Sequence, residues 1–470
     1  MANNVKKING IAIADVKKLN TIAAADIKEL NGEEFSVSVD PSILVSYRQV
    51  EASGSGIACD TAVVSAVYDT DNNYVVIGTR EAGGGGRCVV GAYNSGNNDI
   101  DFGAEQSITA SGAVAGLSMD YDQYNNRLWV AWIGGSGNQI FARVGTINGP
   151  VIGDSASPLT ISWGTTLTIR EGSGTYPGKY NQGLLGQGLA VDQTDGACLV
   201  AWNPADKAIS GGAGGSDNHP HGVILEIADV STNNDLSAAP APSQLVTGSS
   251  AQNYPMIVVA YDPDNAEWVG ITDPANDIRA LRITNNSGTP TEANETTLAN
   301  NSGHSLQGQD HGATAGITGR YGGDHFAYDT GNNVFHVASC HASASEIFAF
   351  TNSGSGITFN EGGQAVATGE VLSQDGKAGG ISYHESRQRI VVHGTDDSSQ
   401  EFEVFTYDGS SYTSINSGSL VEIVSDDDGF YYGSSCRGSN MDSFLSNGHL
   451  LTGVDYDERE PYYCIIDSGG

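Results

Sequence analysis

Histidine is the residue type in this chain most suited to binding a metal ion, and it occurs in three local groups. The groups are His219 with His221, His304 with His311, and His325 with His336 and His341. None has the ligand spacing of a closed zinc site, and the six cysteines contain no C-x-x-C pair. The spacing favours histidines on loops and strand surfaces, so we predict that the protein binds no metal and no cofactor.

Acidic side chains are abundant enough to form pairs suited to glycoside cleavage by chance alone. The chain has 55 aspartate and glutamate residues among 470, and a glycosidase needs only two carboxyl groups at a suitable separation. A sialidase-like site would also need three arginines and a tyrosine with a glutamate partner. Only residues 353–359 resemble the Ser-x-Asp-x-Gly-x-Thr-Trp repeat expected of a sialidase-like propeller, and the match is weak. We predict that the protein is not an enzyme, with a polysaccharide-degrading glycoside hydrolase as the alternative.

The overall charge and hydropathy exclude two further classes of partner. The formal net charge is −34, whereas binding to nucleic acid needs clustered lysine and arginine that release counterions. No stretch of about 18 apolar residues is present, and residues 1–16 lack the apolar core of a secretory signal. We therefore predict no nucleic-acid partner and no insertion into a membrane.

The elements that would position a site are short strands joined by turns, since the chain has 62 glycines and no long helix-forming run. After Ser36, one pattern recurs seven times: apolar residues, an aspartate, a polar turn and a short apolar strand. The sixth copy has His384 in place of the aspartate. Such an aspartate accepts hydrogen bonds from the turn, while asparagine or glycine takes a left-handed backbone. We predict a structural role for Asp69, Asp122, Asp192, Asp262, Asp329 and Asp457.

Seven hairpin units call for a closed arrangement. The marked positions are separated by 53, 70, 70, 67, 55 and 73 residues, longer than the roughly 40–50 of common propeller repeats, which fits long loops. Each unit has enough chain for four strands, and a radial order protects the sheet edges. We predict an all-β fold: a seven-bladed β-propeller over residues 37–470, preceded by a short repetitive docking segment over residues 1–36.

The first 36 residues carry a different repeat, with a period of eleven residues and copies that begin at Val5, Val16 and Ile27. Eleven residues make about three helical turns, so a helix is the alternative. The Asn-Gly pairs at 9–10 and 31–32 favour tight turns instead. We predict three strand-and-turn units, each needing a neighbour to bury its apolar side chains. The predicted docking residues are Lys6, Lys7, Ile8, Ile11, Ile13, Lys17, Lys18, Leu19, Ile22, Ile27 and Leu30.

The eleven-residue copies resemble the N-terminal repeats of structural proteins in tailed bacteriophages, marine ones especially. Residues 87–103 and 143–149 also resemble blade repeats in phage fibre and other virion proteins. The resemblance implies that residues 1–36 attach the chain to other virion proteins. It also implies synthesis in the host cytoplasm, a final location in the virion and several copies per particle.

The expected function is therefore that of a non-enzymatic virion structural protein, as a tail fibre, an appendage or a capsid decoration. In that setting the exposed propeller would bind a host surface glycan, because aromatic residues in long loops suit stacking on sugars. A cell-surface adhesin is a further alternative, which the missing export signal disfavours.

Overall fold

A computed structural model defines the fold. It describes residues 45–52, 55–56, 59–69, 72, 74–81, 85–94, 99–109, 114–134, 139–149, 159–170, 188–202, 219–230, 234–246, 257–272, 278–297, 304–305, 326–341, 344–365, 377–385, 387–395, 399–415, 421–425, 430–437, 448–455 and 460–467, with six two-residue strands before residue 35. The described residues form strands and turns throughout, and they include no helix long and apolar enough to cross a membrane. The prediction of an all-β fold is confirmed.

The N-terminal segment contributes three short antiparallel pairs. The strands are β1 (Lys7–Ile8), β2 (Ile11–Ala12), β3 (Lys18–Leu19), β4 (Ile22–Ala23), β5 (Glu29–Leu30) and β6 (Glu33–Glu34). Ile8 pairs with Ile11, and the same register recurs eleven and twenty-two residues later. The docking role of this segment stays a prediction.

The strands that follow form large antiparallel sheets in chain order. After β7 (Val45–Gln49) and the small pair β8 (Glu51–Ala52) and β9 (Ser55–Gly56), the first repeat comprises β10 (Cys59–Asp69), β11 (Tyr74–Glu81), β12 (Gly86–Asn94), β13 (Asp99–Phe102) and β14 (Gln106–Ser107). The second comprises β15 (Val114–Asp122), β16 (Arg127–Gly134), β17 (Gln139–Asn148), β18 (Thr160–Trp163) and β19 (Leu167–Arg170). The third comprises β20 (Leu189–Val191), β21 (Cys198–Trp202), β22 (His221–Leu225) and β23 (Ser243–Gln244).

The later repeats keep the same order of strands. The fourth comprises β24 (Ile257–Asp262), β25 (Glu267–Thr272), β26 (Arg279–Asn286) and β27 (Thr289–Thr297). The fifth comprises β28 (His304–Ser305), β29 (Phe326–Asp329), β30 (Val334–His341), β31 (Ala344–Asn352) and β32 (Ile357–Ala365). The sixth comprises β33 (Lys377–His384), β34 (Arg389–Thr395), β35 (Ser399–Tyr407), β36 (Tyr412–Ser414) and β37 (Val421–Ser425), and the last comprises β38 (Phe430–Arg437), β39 (Gly448–Asp455) and β40 (Glu460–Asp467).

The number of large sheets among the described residues is six, so the prediction of seven separate blades is wrong. The first and last repeats share one nine-stranded sheet, in the order β13-β12-β11-β10-β38-β39-β40-β7 with β14 beside β12. They join because β10 pairs in parallel with β38, at Ala66 with Cys436 and Val67 with Arg437. The second to sixth repeats each form their own four- or five-stranded sheet. The fold is a β-propeller.

The core lies between the sheets, which explains the strand sequences. Strand β16, which lies between β15 and β17, is buried along almost its whole length. Strand β17 alternates buried and half-buried residues, as expected of a strand nearer the rim of the propeller. Trp129 and Trp202 fill one of these layers, and Trp268 fills the next. Five buried apolar layers of this kind join the six sheets in chain order, and a sixth lies between the two halves of the nine-stranded sheet. Each layer stabilises the ring by removing apolar surface from water.

The ring is closed by a strand from the beginning of the described body. Strand β7 pairs with β40 over five residue pairs, from Val45 with Ile466 to Gln49 with Tyr462. The next residue, Val50, is fully buried and donates its backbone N–H to the carbonyl of Pro461 at 2.8 Å. The N-terminal segment is therefore connected to the propeller through the edge strand of the nine-stranded sheet.

Candidate functional site

The predicted turn aspartates lie at the end of the first strand of each repeat's hairpin, or directly after it. Five are described: Asp69, Asp122, Asp192, Asp262 and Asp329. Each is at most 7% exposed. The Asp122 carboxylate accepts hydrogen bonds from the backbone N and the Nδ2 of Asn125, at 2.9 and 2.8 Å. Asp329 accepts the same two bonds from Asn332, at 2.9 and 2.8 Å. These contacts are those of a turn cap, and Asp457 lies outside the described residues.

The fourth residue after Asp122, Asp192, Asp262 and Asp329 has a left-handed backbone. Its φ is 56° at Asn126, 54° at Asn333 and 81° at Gly196, residue types that adopt this region readily. The same conformation occurs at Ala266 (52°) and at Gln388 (49°), where the side chain disfavours it. Gln388 belongs to the repeat in which His384 replaces the aspartate, so the turn keeps its shape without the carboxylate.

Replacing Asp122 by alanine should lower the free energy of unfolding by about 1–3 kcal/mol, because the partly buried donors of Asn125 lose their acceptor. Asp408 provides a matched control, since it also caps a turn, with Ser410 N at 2.9 Å and Ser411 N at 2.8 Å, but is exposed. Asp408→Ala should cost much less because water replaces the carboxylate. Urea unfolding of both variants is the measurement. Equal losses of unfolding free energy would contradict a stabilising role for burial of the Asp122 carboxylate.

The Asp329 turn includes a buried histidine. His336 Nε2 lies 3.2 Å from Asp329 Oδ2, and its Nδ1 lies 2.7 Å from the Tyr412 hydroxyl. Burial raises the pKa of Asp329, but hydrogen bonds from His336 and Asn332 outweigh it and hold the pKa at about 2. The ionised carboxylate accepts the Nε2 proton, so Nδ1 accepts from Tyr412.

An equivalent contact elsewhere favours a structural role for His336 over a catalytic one. Trp129 lies seven residues after Asp122, as His336 does after Asp329, and its Nε1 lies 3.5 Å from Asp122 Oδ2. Both side chains are fully buried. The position therefore supplies a donor to the turn aspartate, and histidine in the fifth repeat does what tryptophan does in the second.

Burial lowers the pKa of His336 below its usual 6.5, and the Asp329 carboxylate offsets this only in part. The unfolded chain therefore binds more protons than the folded chain once the pH falls below about 6.5. We expect stability to decrease as the pH falls through that value towards the folded pKa. His336→Gln should remove this part of the pH dependence in unfolding curves between pH 4 and 8; an unchanged profile would contradict it.

A buried ion pair within the sheet of the fourth repeat is hydrogen-bonded to the sheet of the fifth. The Arg282 guanidinium donates from Nε to Glu267 Oε1 and from Nη2 to Glu267 Oε2, both at 2.7 Å. Asn352 of the next sheet donates its Nδ2 to Glu267 at 2.6 Å and to Asp262 at 2.7 Å. Glu267 is 3% exposed and Arg282 is 8% exposed. Sequence reasoning missed this pair, because neither residue belongs to a recognisable motif.

A polar cleft is formed by strands from both ends of the described body. Its volume is about 480 Å³. The lining residues are Arg48 and Gln49 of β7, Asp99, Ile100, Asp101 and Phe102 of β13, and Tyr463 of β40. We call it the rim cleft, because it lies between the outer strands of the two halves of the nine-stranded sheet.

Asp99 is held in place on the wall of the rim cleft. Arg48 Nη1 lies 3.2 Å from Asp99 Oδ2, while Asp99 Oδ1 accepts hydrogen bonds from the Tyr463 hydroxyl and, at 2.9 Å, from the Ile100 backbone N. Burial, followed by the Asp99 contact, raises the pKa of the Tyr463 phenol. The Phe102 ring meets the Tyr463 ring edge-on, with centroids 5.4 Å apart. The arrangement can bind a polar ligand.

The other predicted site residues are placed as follows. Lys7, Ile8, Ile11, Lys18, Leu19, Ile22 and Leu30 lie in the two-residue strands before residue 35, whereas Lys6, Ile13, Lys17 and Ile27 fall outside the described residues. Within the described part of the chain, no three His, Cys, Asp or Glu side chains are grouped so as to hold a metal ion.

No family model and no curated protein matches this chain. The Dos1 propeller has a TM-score of 0.44 and 9% identity, covering 90% of this chain and 96% of that one. A periplasmic gluconolactonase of Pseudomonas aeruginosa has a TM-score of 0.46 and 12% identity, covering 78% and 88%. A candidate 6-phosphogluconolactonase of Bacteroides fragilis has a TM-score of 0.49 and 10% identity, covering 83% and 98%. These similarities concern the fold alone and carry no argument about activity.

Proposed function

We propose that this protein is a non-enzymatic structural component of a tailed-phage virion, as a tail fibre, an appendage or a capsid decoration. Residues 1–36 attach it to other virion proteins in several copies per particle, and the propeller is presented outward, where it binds a host surface glycan. Its location is the virion, after synthesis in the host cytoplasm.

The observation that carries the proposal is the threefold repetition of one small element before the propeller. Ile8, Leu19 and Leu30 occupy equivalent register positions, each in a two-strand pair, and the pairs are eleven residues apart. Two paired residues bury too little surface to be stable alone. A regular series of such units is suited to a partner that presents matching binding positions.

The connection between this segment and the propeller supports the same role. The segment leads into β7, which is held to β40 at the outer edge of the nine-stranded sheet. Attachment through residues 1–36 therefore involves an edge strand, and the inner strands of the ring keep their contacts.

The proposal is tested by placing a charge in each repeat of the full chain. Ile8→Asp, Leu19→Asp and Leu30→Asp should each weaken binding to particles that lack the protein by about tenfold or more, because each removes an apolar contact of about 1.5–3 kcal/mol. Combined substitutions should multiply the losses, since the repeats are separate sites. Competition against labelled full chain measures the affinities.

Tyr124→Asp is the matched control, because it adds the same charge on the propeller, at a side chain that is 61% exposed. Its affinity for the particles should equal that of the unchanged chain. Three repeat variants that bind as well as this control would overturn the docking role of the segment.

A further inference from the structure

We propose that the rim cleft is the saccharide-binding site of this protein, and that its ligand is an uncharged sugar unit. The inference rests on the proposed function in taking the propeller as the exposed binding module. It adds the position of the site, the residues that recognise the ligand and the chemical class of sugar.

The polar groups of the cleft match the hydrogen-bonding needs of a sugar. Arg48 and Gln49 offer N–H donors, while Asp99, Asp101 and the Gln49 carbonyl offer acceptors. Vicinal hydroxyl groups donate and accept at once, so they need both kinds of partner side by side. The volume of about 480 Å³ lies within the range of about 300–1,000 Å³ typical of small-molecule sites.

Two aromatic side chains also contribute to the lining of the cleft. Phe102 is partly buried and is held edge-on by Tyr463, which is itself 2% exposed. The part of the Phe102 ring that lines the cleft is a small, rigid apolar surface, which C–H groups of a pyranose can contact. The lining is mainly polar, so hydrogen bonds carry most of the recognition and the ring adds a small apolar contact.

The charges of the lining select against anionic ligands. Arg48 forms an ion pair with Asp99, and the second carboxylate, Asp101, leaves the lining with a formal charge of −1. The whole chain carries −34. A phosphate, a sulfate or a uronate would meet net repulsion. The net negative charge of the lining does not weaken the binding of an uncharged sugar.

The site is organised before a ligand arrives. Asp99 is fixed by three contacts, with Arg48, Tyr463 and the backbone N of Ile100. Asp101 accepts a hydrogen bond from Asn94 Nδ2 at 3.0 Å. Side chains that are already ordered lose little conformational entropy on binding, which favours affinity.

The test titrates the purified full chain with lactose, maltose and N-acetylglucosamine as uncharged probes, glucuronic acid as the anionic probe and trilysine as the cationic probe, followed by NMR. We expect at least one uncharged sugar to bind, and Gln49→Ala, Asp101→Ala and Phe102→Ala each to weaken it at least tenfold. Gln49 and Asp101 are not part of the buried core, so those two variants report on binding even where Phe102→Ala affects folding.

Tyr124→Ala is the control, since it removes an exposed aromatic ring that does not line the rim cleft, and its affinity should be unchanged. The inference is overturned where no uncharged probe binds, or where Gln49→Ala and Asp101→Ala leave the affinity unchanged. It is also overturned where glucuronic acid binds better, or where trilysine binds better and Gln49→Ala and Asp101→Ala weaken that binding. The titration contains no particles, so a failure of docking leaves its outcome unaffected.

Discussion

Glu267→Ala will lower the free energy of unfolding by about 3–5 kcal/mol, because it leaves the guanidinium of Arg282 buried without a counter-charge. The loss extends to the contact between sheets, since Asn352 donates to the same carboxylate. Replacing both partners, by Glu267→Met with Arg282→Met, should recover much of the loss, because an apolar pair of similar size removes the unpaired charge. Denaturant unfolding of the single and double variants is the measurement.

Glu295→Ala is the control for that experiment. Glu295 pairs with Arg279 on adjacent strands of the same sheet, but both side chains are more exposed than Glu267 and Arg282, at 17% and 16%. The loss there should be smaller than at Glu267, because both side chains retain more contact with water. A double variant at positions 267 and 282 that is less stable than either single variant would contradict the account of an unpaired charge.

A chain that begins at Glu51 will have a propeller less stable by on the order of 5 kcal/mol, because it loses strand β7 and the fully buried Val50. Five residue pairs with β40 disappear, and the edge of the nine-stranded sheet is left open. A chain that begins at Ser36 keeps β7 and should unfold like the full chain. Thermal unfolding followed by near-ultraviolet circular dichroism compares the three, and identical transitions would show that β7 does not close the ring.

The repeated hairpin could be recognised from sequence because its signals are local. An aspartate, a polar turn and a residue with a left-handed backbone lie within five positions, as at Asp122 and Asn126. The number of sheets could not be obtained in the same way. It depends on Ala66 and Cys436 pairing in parallel, a contact between the first and last repeats that no local signal marks.

The rim cleft and the buried ion pair were not predictable for the same reason. Arg48, Asp99 and Tyr463 are brought together by closure of the ring, and no spacing in the sequence marks them as neighbours. The role of His336 became clear only beside Trp129, since the shared distance from the turn aspartate has meaning once both are seen to approach it. Local chemistry was therefore predictable, and contacts between repeats were not.

The most direct test of the central claim is cosedimentation with particles that lack the protein, comparing the full chain with the chain that begins at Ser36. The shorter chain retains β7 and therefore the closed propeller, so any difference reports on the docking segment. We expect the full chain to bind and the shorter chain to remain in the supernatant. Equal binding of the two chains would contradict docking through residues 1–36 and would place attachment on the propeller.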